Sequence, residues 1–105
     1  MYKPVLGDVI EHNGKAMVVV NIDINEDIGS CAYDRTYLLC NYDYLKQNQG
    51  LIAPDDVGKH SVSIHVGGIH FPQFIKMDDA IPFAIERVNC YGVRQKKAST
   101  MTVYQ

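Results

Sequence analysis

GDVIEHNGKAMVVVNIDI, residues 7–24, is the stretch on which the reading of this chain turns. Asn13-Gly14 sits between two runs of β-favouring residues. A type I′ turn needs positive φ at both central positions, and these two residues tolerate it. The turn fixes a register: His12 opposite Lys15, Glu11 opposite Ala16, Ile10 opposite Met17 and Val9 opposite Val18. Side chains alternate along a strand. Val9, Glu11, Ala16, Val18, Val20, Ile22 and Ile24 therefore share one face, expected to be the core side. Asp8, Ile10, His12, Lys15, Met17, Val19, Asn21 and Asp23 share the other. Residues 16–20 are apolar without a break, as suits a strand with neighbours on both edges and cover on both faces.

The pattern Gly7-Asp8-Val9-Ile10-x-x-Asn13-Gly14-Lys15-x-x-Val18-Val19 resembles the opening hairpin of small SH3-like barrels. It covers fewer than 20 of the 105 residues and implies a fold type but no activity. The expected fold is mainly β: a small SH3-like barrel or a bent antiparallel sheet of five to six strands with one short helix, in a single domain spanning 1–105.

Working outward, 25–30 reads as a polar loop and 35–41 as a third strand. Residues 41–50 read as one or two helical turns capped by Asn41 or Asp43 and stopped at Gly50. Residues 51–59 read as a connecting loop. In 60–72, Val62, Ile64 and Val66 alternate with Ser61, Ser63 and His65. A Gly67-Gly68 turn would place Val66 opposite Ile69, His65 opposite His70 and Ile64 opposite Phe71. Ile81, Ala84, Ile85 and Val88 fall at helical spacing behind Asp79, with Gly92 past the end, so a short helix is favoured over a strand there. Residues 99–104 read as a closing strand.

Length and composition exclude several classes. A chain of 105 residues with 47% hydrophobic content can bury a core without staples and is not of disordered type. No segment approaches 18 apolar residues, and the start lacks the apolar run of a signal peptide. Cys31, Cys40 and Cys90 are odd in number without a C-x-x-C pair, which reads as reduced thiols in a cytoplasmic protein. The net charge of −2 divides unevenly. Residues 1–79 carry 6 Lys/Arg against 11 Asp/Glu, and residues 80–105 carry 4 against 1.

Three groups of residues could carry a function. Tyr33, Tyr37, Tyr42 and Tyr44 lie within 12 residues, and tyrosine offers large contact area at low entropic cost, so they are candidate partner-binding residues. His65 and His70, as cross-strand neighbours, could chelate Zn or Ni or exchange a proton. Arg87, Arg94, Lys96 and Lys97, near Tyr91 and Tyr104, form a basic and aromatic cluster of the kind that grips single-stranded nucleic acid or nucleotides. Asp23-x-Asn25-x-Asp27 begins like a calcium loop but has Ile28 where the turn needs glycine. No nucleophile elbow, P-loop or H-E-x-x-H is present, and no catalytic residue is assigned.

The leading expectation is a non-catalytic protein-binding module, an adaptor or inhibitor acting on a larger assembly, a description that small accessory and viral proteins fit. It could also pair with itself through a sheet edge as a homo-oligomer. The alternatives are a metal or small-ligand site at His65 and His70, and nucleic-acid binding at the basic end.

Overall fold

The computed structural model describes residues 2–25, 32–88 and 94–98, with backbone alone over 86–88 and 94–98. Strands β1 (Val9–His12) and β2 (Lys15–Ile24) form the hairpin in the register read above, from Val9 opposite Val18 to His12 opposite Lys15. Asn13 and Gly14 hold φ of 52° and 78°, the left-handed pair that a type I′ turn requires. Strand β2 pairs along its other side with β3 (Tyr33–Asn41). Helix α1 (Tyr42–Gln47) follows at once because Asn41 caps it: its Oδ1 accepts from the Tyr44 N–H at 3.0 Å.

Gly50 then turns the chain into β4 (Leu51–Ile52), and Pro54–Asp56 forms a 3₁₀ turn running into α2 (Val57–His60). The stretch 51–59, expected as loop, is thus largely built into short elements. The rest is β5 (Ser61–Gly68), β6 (Lys76–Asp78), β7 (Ala84–Val88) and β8 (Arg94–Ala98).

The fold is mainly β. Five strands make an antiparallel sheet in the order β5-β3-β2-β1-β6, and three make a second sheet in the order β4-β7-β8, with β4 parallel to β7. β5 and β6 remain edges of the larger sheet among the described residues, so the bent-sheet form of the expectation is the one that holds. The bend has a local cause. The β2–β3 ladder slips between Val19 and Asn21, leaving Val20 as an extra residue on β2. Such a bulge kinks its strand and reverses the facing of everything beyond it.

That reversal corrects the face assignment. Val18 and Val20 enter a core with Val9, Cys40, Leu45, Ile52 and Phe83, roofed by α1 and the smaller sheet. Ile22, assigned to the same side by alternation, instead joins Met17, Val19, Ile10, Tyr37 and Leu39 in a second core on the opposite face. Ile24 is exposed. Asp8, assigned to the polar face, is buried, where it accepts from the Tyr2 hydroxyl at 2.6 Å and the Val5 N–H at 2.9 Å.

Two further expectations are overturned by long-range contacts. The 60–72 hairpin does not form: Gly67 and Gly68 continue β5 and pair with Asp34 and Tyr33 of β3. Residues 69–75 then carry the chain to β6, which pairs with β1 at the far edge. Four inter-strand spacings come to roughly 19 Å, within the roughly 23–25 Å that seven extended residues span. The crossing buries Phe71 and Phe74 on the second core, edge-on to Tyr37 at 6.4 and 5.5 Å between ring centroids.

The helix expected behind Asp79 is strand β7 instead. Ile81 N–H donates to Gly7 O at 3.0 Å and Ala84 N–H to Gly50 O at 2.9 Å, so these amides are committed to distant partners. Pro82 offers no donor at all. Gly92 and the strand expected over 99–104 lie outside the described residues, as do 26–30 of the expected loop.

Gly14 and Gly50 both hold positive φ, but only Gly50 is crowded: a Cβ there would sit 2.8 Å from the Pro82 carbonyl oxygen, while at Gly14 nothing lies within 4 Å. Gly14→Ala is expected to cost about 1–2 kcal/mol, the backbone strain alone. Gly50→Ala adds a backbone clash and is expected to cost about 3 kcal/mol or more. Urea denaturation of the two variants measures the difference, and equal costs would contradict the close packing of β7 on the α1–β4 turn.

Candidate functional site

Among the described residues, β5 is the longest strand with an open side. All eight of its residues pair with β3, from Ser61 opposite Cys40 to Gly68 opposite Tyr33, in one register without a slip. Ile64 and Val66 turn to the second core while Ser63 and His65 are exposed, as expected, but Val62, expected on the apolar side with them, is exposed at the start of the strand. Among the described residues no strand lies on its other side.

His65 sits opposite Thr36, and its Nε2 meets a carboxylate oxygen of Asp34. With side-chain exposures of 62% and 46%, this pair orients the ring more than it stabilises the fold. The ring lies over Gly67, where a Cβ would come 3.0 Å from His65 Cε1. Because Gly67 and Gly68 continue β5 instead of turning, no strand brings His70 back opposite His65, and His70 stands exposed in the 69–75 crossing. Among the described residues no three His, Cys, Asp or Glu side chains are grouped as metal ligands.

The four tyrosines do not make one patch. Tyr37 is fully buried between the sheet and the phenylalanines, so its assignment to a partner surface is corrected. Tyr33 is half-buried, edge-on to Phe71 at 5.1 Å, with the Lys3 ammonium 4.3 Å above its ring. Tyr42 and Tyr44 lie on α1. The Tyr44 hydroxyl donates to Asp56 at 2.9 Å, and its ring stacks on His60 at 4.1 Å. The Tyr42 hydroxyl donates to Asp78 at 2.8 Å, tying α1 to β6. Arg87 lies on β7 and Arg94, Lys96 and Lys97 on β8, in a ladder that sets Arg87 opposite Gln95 and Lys96 opposite Glu86.

A concave feature escaped the sequence reading. Between the tip of the β1–β2 hairpin and the α2–β5 junction lies a cleft of about 260 Å³, with His12 and Lys15 on one wall and Lys59 and His60 on the other. Its walls are more than 40 residues apart in the chain, and nothing in local spacing joins them. Cys40 is buried beneath the larger sheet's first face, and that burial pushes its thiol above the ordinary range. Cys31 and Cys90 lie outside the described residues. Among the described residues no helix is long and apolar enough to cross a membrane. Comparison of the chain with protein-family models, curated proteins and solved structures gives no match.

The Tyr42 hydrogen bond, joined by the Asp79 N–H, holds the Asp78 carboxyl below its ordinary value. A depressed carboxylate favours the fold at neutral pH, and that contribution is lost as pH falls through the depressed value. Tyr42→Phe is therefore expected to raise the Asp78 pKa toward the ordinary aspartate value. Carboxyl-carbon NMR titration measures it, and an unmoved midpoint would show that the hydroxyl does not hold Asp78 in solution.

Proposed function

We propose that the protein is a non-catalytic protein-binding module, an adaptor or inhibitor, that takes up an extended segment of a partner as an added strand along β5. The observation that carries this reading is the contrast between the two edges of the larger sheet. β6 is three residues long, register-slipped against β1, and bears Lys76 and Asp78, the devices that discourage pairing. β5 has eight residues, an unslipped ladder, and no Lys, Arg, Asp, Glu or Pro among them. Such an edge offers a row of main-chain donors and acceptors to an incoming strand. Val62, 43% exposed, adds an apolar contact at its start. A second copy of the chain could use the same edge, giving the homo-oligomer form of the reading.

The test is panning of a random ten-residue peptide library, followed by backbone N-methylation of the best binder. Main-chain pairing uses every second peptide amide. N-methylation in one phase is expected to abolish binding, and in the other phase to leave it nearly unchanged. Indifference to phase, or peptides that protect amides outside β5, would overturn the proposal.

A further inference from the structure

We propose that the cleft between the hairpin tip and α2 is a binding site for a small phosphate monoester. Apart from Ser61 and Val62, where β5 begins, its residues are not those of the β5 edge, and it does not rest on that reading. His12 and Lys15 flank the Asn13-Gly14 turn, while Lys59 and His60 close α2, so two separate pieces of chain converge on one hollow. The first wall is set by the tight turn, whose φ values leave the hairpin tip little choice of direction. The second is set by the Tyr44 ring stacked on His60 at 15° between planes.

The formal charge of the lining is positive and comes from its two lysines. Two lysines and two histidines line the cleft, and among the described residues no carboxylate does, in a chain where Asp and Glu outnumber Lys and Arg by 12 to 10. Asn13 and Asn41 complete the lining with side-chain amides: Asn13 Nδ2 lies 3.3 Å from His12 Nε2, and Asn41 uses its Oδ1 on the Tyr44 N–H and keeps its amide N–H groups as donors. Such a set suits a compact dianion with several acceptor oxygens, since lysine binds phosphate as a point charge and amides complete the shell.

The volume sets the size of the ligand. About 260 Å³ falls below the roughly 300–1,000 Å³ of sites for drug-sized molecules. It leaves room for a phosphate and a body of a few carbons. Met17 and Val62 supply apolar wall for that body.

The experiment is NMR titration of the whole protein with inorganic phosphate, glycerol 3-phosphate and neutral glycerol, at constant ionic strength and pH. Of the four histidines, His12 and His60 lie in the cleft and His65 and His70 do not. Saturable shifts of the His12 and His60 ring resonances with glycerol 3-phosphate are expected, with His65 and His70 unmoved and no response to glycerol. Lys15 and Lys59 are exposed, so Lys15→Gln and Lys59→Gln leave the fold intact. Each is expected to weaken binding roughly three- to tenfold, as for a charge-assisted contact partly open to water. No saturable shift, shifts shared by all four histidines, or affinity unchanged in both lysine variants would overturn the site. Binding of inorganic phosphate without the ester would overturn the monoester assignment.

Discussion

Strand β2 has to bury side chains on both of its faces where its first half runs paired between β1 and β3, and the architecture follows from that demand. The run from Met17 to Val20 is wholly buried. A plain strand would send alternate residues to two sides and leave one of them wet. Here each side is covered: α1, β4 and Phe83 roof the first, while the N-terminal segment and the 69–75 crossing cover the second. Each fully buried valine or isoleucine contributes about 1.5–3 kcal/mol, so neither cover is expendable. The bulge at Val20 reconciles the two demands, since it keeps Val18 and Val20 in one core and redirects Ile22 into the other.

With both faces of the larger sheet occupied, what it leaves open among the described residues is at its edges and rims. This is why Tyr37 cannot serve a partner and why β5 and the hairpin-tip cleft stand out. The two features share Ser61 and Val62, where β5 begins, but call on different chemistry. One offers backbone that no strand pairs among the described residues, and the other offers positive charge. Two polar links elsewhere on the surface, Tyr42 to Asp78 and His65 to Asp34, are exposed and fix geometry more than they add stability.

What could be read from the sequence was what is decided locally. The Asn13-Gly14 turn dictates its own register, and the Asn41 cap and Gly50 stop delimit α1 from within a ten-residue window. Alternation placed Ile64 and Val66 correctly on one side of β5. The bulge at Val20 left no local signal, because no glycine or proline marks it, so Ile22 was assigned to the wrong core. Gly67-Gly68 has turn chemistry, yet pairing with β3 and burial of Phe71 and Phe74 outweigh it. The apolar spacing from Ile81 to Val88 has helical period, yet its amides are claimed by Gly7 and Gly50. The edge character of β5 and the walls of the cleft depend on strand order, which no short window contains.

The central claim is that β5 presents an open edge. Amide hydrogen exchange of the isolated, monomeric protein tests it most directly. Alternate β5 amides face β3 and alternate ones face away, so protection along residues 61–68 is expected to alternate, while in β2 the amides of Met17–Val19, which lie between β1 and β3, are protected at every residue. Uniform protection of β5 matching that of β2 would mean that another part of the chain already covers the edge, and would contradict the account.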